Sequence, residues 1–85
     1  MRILIAGGGE VAALIAGRLI GEGNEVILIE EDPERCSELE DTLDAKIVNG
    51  NAASVLVLRR AGLETAEMLI AATNSDATNI LACLV

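Results

Sequence analysis

Gly7-Gly8-Gly9-Glu10-Val11-Ala12 follows the apolar run Arg2 to Ala6 and opens an amphipathic stretch; twenty-three residues after Gly7, a second apolar run ends in Glu30. Glycines between a strand and a helix, with an acid closing the next strand, form a fingerprint for gripping a dinucleotide or another adenine nucleotide. Each position has a chemical reason. Gly7 lets the backbone leave the strand in a tight turn, Gly8 loosens that turn further, and Gly9 has no Cβ to obstruct a pyrophosphate. Ala12 keeps the helix close to the sheet. Free N–H groups around Gly9 to Ala12 point at the phosphates, and the helix dipole favours negative charge there. Glu10 sits in that first turn and is expected to point outward. The Glu30 carboxylate can accept hydrogen bonds from both ribose hydroxyls, whereas a 2′-phosphate would meet Glu30, Glu31 and Asp32 together. NAD or an adenosine phosphate is therefore favoured over NADP. The simpler alternative is that the glycines serve only the turn and Glu30 is a solvated strand end.

The elements that must position these residues alternate regularly. Arg2 to Ala6 is the first strand, and Glu10 to about Gly21 a helix with Val11, Leu14, Ile15 and Leu19 on one face. Glu25 to Glu30 is the second strand. Asp32 is a good N-cap and Pro33 suits a first helical turn, after which Cys36, Leu39 and Leu43 line a buried face. Ala45 to Asn49 is a third strand, Ser54 to Ala61 a short helix closed by Gly62, and Glu67 to Ala72 a fourth strand. Asn74 or Ser75 is expected to cap a final helix. Near-continuous apolar strands such as Val26-Ile27-Leu28-Ile29 belong to a parallel sheet covered on both faces. With right-handed crossovers, the fold class is α/β: a Rossmann-like doubly wound sheet in strand order 3-2-1-4, truncated before strands five and six. Residues 1–85 make one partial domain.

Composition narrows the functions. Apolar residues make up 52% of the 85, yet Phe, Tyr and Trp are absent, so the core is built from aliphatic side chains and no base can stack on an aromatic ring. A net charge of −8 argues against nucleic acid and anionic membrane surfaces, which need a basic patch. No apolar run approaches the ~20 residues of a membrane span, and the start shows no secretory cleavage signature, so a cytoplasmic location is expected. Cys36 and Cys83 match no metal or redox spacing and read as small core residues. Glu30 to Asp44 carries eight acids against the single Arg35. Their spacing is not that of a cation loop, so they read as a solvated helix face and no metal is assigned. There is no histidine. No nucleophile elbow occurs either, and no catalytic residue is assigned.

The stretches Ile5 to Val11, Ile29 to Arg35, Gly50-Asn51-Ala52 and Ala72-Thr73-Asn74-Ser75-Asp76 with Asn79 resemble the N-terminal nucleotide-binding domain of Trk-type potassium-uptake regulators, also called the regulator-of-potassium-conductance or KTN domain. The resemblance covers essentially the whole chain. It implies a cytoplasmic regulatory module beneath a potassium channel or transporter subunit, binding NAD, NADH, ATP or ADP in an oligomeric ring whose shape changes with ligand. Carried over by position, Gly7, Gly8, Gly9, Glu10 and Val11 would hold phosphates, Glu30 with Glu31 the ribose side, and Arg35 would lie near the adenosine or phosphates. Asn51 and Ala52 would border the adenine, and Thr73 and Asn74 would edge the cleft. The alternatives are that Arg35 pairs with Glu31 or Glu38 on the helix surface and that Asn74 is only a cap.

Two departures from the family pattern stand out. Gly50-Asn51 replaces the usual Gly-Asp, exchanging an acceptor for a group that both donates and accepts. The family domain also continues beyond the point where this chain ends. Ile80 to Val85 is apolar almost all round, so either the chain is a fragment or another subunit covers it, and the open edge of the fourth strand could recruit a second chain. A homo-oligomer, dimer-based, is expected. The competing class is the cofactor half of an NAD-dependent oxidoreductase, and a third possibility is a scaffold that keeps the fold and binds nothing.

Overall fold

The computed structural model describes residues 1–72 and, as backbone, the strand Ile80–Leu84. Its elements run β1 (Arg2–Ala6), α1 (Glu10–Gly21), β2 (Glu25–Glu30), α2 (Pro33–Thr42), β3 (Lys46–Asn49), α3 (Val55–Ala61), a 3-10 turn (Leu63–Thr65), β4 (Met68–Ala72) and β5 (Ile80–Leu84). The sheet order is β3-β2-β1-β4-β5. The first four strands are parallel, with Leu4 level with Ile27 on one side and Leu69 on the other. The expected Rossmann-like order 3-2-1-4 is what forms.

Alternation along the strands divides the core into two layers. Ile3, Ile5, Val26, Leu28 and Ile70 face α1 and α2, where Ala12, Ala16 and Leu39 meet them. Leu4, Ile27 and Ile29 face the opposite way, toward Ala61 and Ala66, with Val57 and Leu58 of α3 packed alongside. Both faces of the sheet are thus covered, which explains why its central strands carry no polar alternation.

Local signals set the boundaries. Asp32 caps α2 by accepting the Glu34 N–H at 3.1 Å, with Pro33 at the first helical position. Ser54 caps α3, and Gly62 closes it in the left-handed region at φ 105°. The 3-10 turn that follows had no sequence signal of its own.

Two expectations are corrected. Leu14 is 75% exposed, not part of the buried face of α1. The helix approaches the sheet through Ala12 and Ala16, one turn apart, and their small side chains set the contact. Leu14 lies two residues beyond Ala12, on the far side of the helix. The segment from Ile80 is the second correction: it forms β5, antiparallel to β4 with Ala72 level with Ile80, where a helix was expected. A short apolar run has no periodicity that separates strand from helix, and the unpaired edge of β4 supplies the partner. That edge is therefore filled by the chain itself. The cap expected at Asn74 or Ser75 lies outside the described residues, as does the side chain of Cys83.

At the amino ends of the strands, Arg2 donates to Glu25 at 2.9 Å and to Thr65 Oγ1 at 2.7 Å, while its backbone N–H donates to Glu67. The hydrogen bond and charge of Arg2 hold the Glu25 carboxyl below its ordinary range. Arg2 and Glu25 thus pair with each other at this end of the sheet.

Candidate functional site

The carboxyl ends of β1, β2 and β3 bound a cleft of about 210 Å³, walled by Gly7, Glu30, Glu31, Asn51, Ala52 and Ala53 among others. Strand order reverses direction beside β1, and open α/β sheets bind ligands in the crevice that this creates. Five of the residues singled out in the sequence therefore share one wall.

Gly7 has φ 121°, and its N–H donates to the Ile29 carbonyl at 2.8 Å. A Cβ there would collide with the backbone oxygen of Ala72, so both conformation and space require glycine. Gly8 does more than loosen the turn. A Cβ at Gly8 would lie 2.7 Å from Glu30 Oε1, so its lack of a side chain lets the loop rest against the acid. Gly9 stands at the N-cap of α1 with no side-chain hydrogen bond to the first turn, and its carbonyl accepts from Ala13. The leading N–H groups of α1 are left for something else to satisfy.

Glu30 is buried at 7% exposure, which corrects the alternative of a solvated strand end. Its Oε2 accepts the Asp32 N–H at 2.7 Å. Its carbonyl accepts from Gly50 N–H, from Asn49 Nδ2 at 3.1 Å and from the Cys36 thiol at 3.3 Å. The end of β2 is thus fixed from four directions, and the carboxyl is held at the cleft wall. Cys36 is a buried free thiol. Burial pushes its pKa up, so it stays protonated and donates. Asn49 was not recognised in the sequence. It also donates to the Glu31 carbonyl at 2.9 Å, so one amide pins both residues of the β2–α2 turn. The only signal was a polar residue following the apolar pair Ile47-Val48 at the end of the strand.

Arg35 pairs with neither Glu31 nor Glu38. Its Nε donates to the Gly8 carbonyl at 2.6 Å, across 27 residues of sequence. Together with Glu10, Ala13 and Leu14 it lines a separate, shallower groove on the outer side of the glycine loop. Glu10 is exposed, as expected, and Val11 is half-buried. Asn51 uses its side-chain oxygen to accept the Ala53 N–H at 2.9 Å. Thr73 and Asn74 lie outside the described residues.

The arrangement offers N–H groups for an anion at α1, a carboxylate for hydroxyls at Glu30, and a small-residue wall at Ala52 and Ala53. The family model of the TrkA-N domain matches residues 3–85. The chain belongs to the TrkA-N family. Over all 85 residues it is 42% identical to the Trk system potassium uptake protein TrkA of Vibrio alginolyticus, covering 19% of that protein. It is 44% identical over 84 residues to the TrkA homolog of Archaeoglobus fulgidus, again 19% of its length. The homolog from Methanothermobacter thermautotrophicus is 36% identical over 84 residues, 39% of its length. This TrkA-N chain therefore spans about a fifth to two-fifths of those relatives. Every residue of the cleft falls within the matched range. Among the described residues, no helix is long and apolar enough to cross a membrane.

Proposed function

We propose that the chain is a nucleotide-binding regulatory module of a potassium-uptake system. The observation that carries this reading is one cleft in which Gly7, Glu30, Glu31, Asn51 and Ala52 meet, beside a helix start with no side-chain cap. The relatives' name, Trk system potassium uptake protein, supplies the process. In this reading NAD or NADH, or alternatively ATP or ADP, lays its diphosphate against the N–H groups at Gly9, Glu10 and Val11. Glu30 takes the ribose hydroxyls and Asn51 with Ala52 borders the base. Arg35 braces the loop through Gly8, and its place near the adenosine or phosphates comes from the resemblance alone. The resemblance adds Thr73 and Asn74.

The ligand acts as a signal and not a reactant, for the sequence offers no histidine to move a proton. The 85 residues form one partial Rossmann-type domain on the cytoplasmic side, working as a dimer-based homo-oligomer attached to a membrane subunit. Binding shifts the subunit arrangement, and that shift gates the pore, by the difference in nucleotide affinity between the two arrangements.

Titration calorimetry with NADH, NAD, ATP and ADP tests the binding step. Glu30→Gln retains an acceptor for the Asp32 N–H but loses the charge, and is expected to weaken binding about tenfold or more. Unchanged affinity in that variant would remove Glu30 from the ribose. No binding of any of the four would remove the cleft from the account.

A further inference from the structure

The glycine loop is anchored at both ends by backbone bonds: Gly7 N–H donates to the Ile29 carbonyl at 2.8 Å, and the Gly9 carbonyl accepts from Ala13 at 3.0 Å. The peptide unit between Gly8 and Gly9 is held by a side chain. Arg35 Nε donates to the Gly8 carbonyl at 2.6 Å, and among the described residues Arg35 forms no ion pair. In a planar trans peptide the carbonyl of one residue and the N–H of the next point in opposite directions. Drawing the Gly8 oxygen toward α2 therefore turns the Gly9 N–H away from Arg35. Neither glycine has a Cβ, so without that bond the unit can rotate about its flanking bonds at little steric cost. A half-turn would replace a donor at the start of α1 with an oxygen that repels an anion.

We propose that Arg35 is a positioning residue for nucleotide binding: by holding the Gly8 carbonyl it fixes the Gly9 N–H as a donor at the start of α1, without its guanidinium touching the ligand. The inference rests on the nucleotide reading above and assigns Arg35 a role from its observed bond. Two substitutions separate that role from a direct charge contact. Gln carries its Nε2 the same number of bonds from Cα as Arg carries Nε, so Arg35→Gln keeps the donor and loses the charge. Arg35→Met keeps the length and loses both.

The experiment is calorimetric titration of the wild-type chain and both variants with ADP, together with the NMR signal of the Gly9 amide in each ligand-free protein. Arg35→Gln is expected to bind ADP within about threefold of wild type and to leave the Gly9 signal in place, whereas Arg35→Met loses about tenfold or more and moves that signal. Equal losses in the two variants would mean that the guanidinium charge acts on the ligand directly, and would overturn the proposal. Unchanged affinity in Arg35→Met, whatever its melting point, reduces the bond to a structural tie and overturns it as well. Should Arg35→Met not fold, Arg35→Gln decides against wild type: retained affinity and an unmoved Gly9 signal support the proposal, and a tenfold loss ends it. A wild type that binds no ADP is the failure of the nucleotide reading itself, and the inference falls with it.

Discussion

Two helices begin side by side at the carboxyl ends of adjacent strands, and they finish their first turns in opposite ways. At α2, Asp32 accepts the Glu34 N–H and Pro33 removes a donor that would otherwise be left over. At α1, Gly9 provides no side chain and no cap. The first arrangement is closed and serves stability. The second leaves donors facing outward, at a cost of only a few tenths of a kcal/mol relative to a polar cap. A helix start left open next to a closed one marks where a ligand's charge can complete the structure. The contrast extends to the preceding residue of each loop: Gly7 has a backbone that no side chain can share, while Glu31 and Asp32 have ordinary ones.

Replacing Gly7 breaks the open helix start most severely. Gly7→Ala forces a side chain into the left-handed region and onto the Ala72 backbone oxygen, with no flexible neighbour to yield. The expected loss is at least about 3 kcal/mol, seen as a large fall in the thermal midpoint or as failure to fold. A variant melting within a degree or two of wild type would show that the loop is not held against β4.

Gly9→Asp converts the α1 start into the α2 type. The backbone there, φ −71° and ψ −174°, suits any residue. A carboxylate cap occupies the N–H groups and puts negative charge where the proposed diphosphate would lie. Affinity for ADP is expected to fall about tenfold or more in calorimetry, while the melting point of the free protein changes little. Retained affinity would place the phosphates elsewhere.

How much of this was legible in the sequence depended on the range of the interaction. Asp32-Pro33 and Ser54 encode caps within three residues, and the structure matches them. The strand order followed from apolar runs and crossover handedness. Leu14 misled because the helix is oriented by small residues at the contact, and a count of large apolar side chains gives no weight to Ala12 and Ala16. β5 misled because a short apolar run fits either element, and only the open edge of β4 decides. In the site, Gly7 and Glu30 were readable from local geometry. The Arg35 bond to Gly8 and the grip of Asn49 on the β2–α2 turn were not, since each joins residues brought together only by the finished sheet.

The smallest effect belongs to the closed helix start. Asp32→Ala removes the acceptor of the Glu34 N–H but keeps the backbone N–H that Asp32 donates to Glu30 Oε2. The cap is exposed, so water takes over part of its work, and the expected loss is about 1 kcal/mol. For a chain of this size that is a drop of roughly 4–8 °C in the melting point. Because the backbone bond survives, Glu30 stays in place, and affinity for ADP should change far less than in Gly9→Asp. A fall in affinity as large as that of the glycine variant would mean that the start of α2 belongs to the binding site as much as the start of α1 does, and the division between a closed and an open helix would be lost.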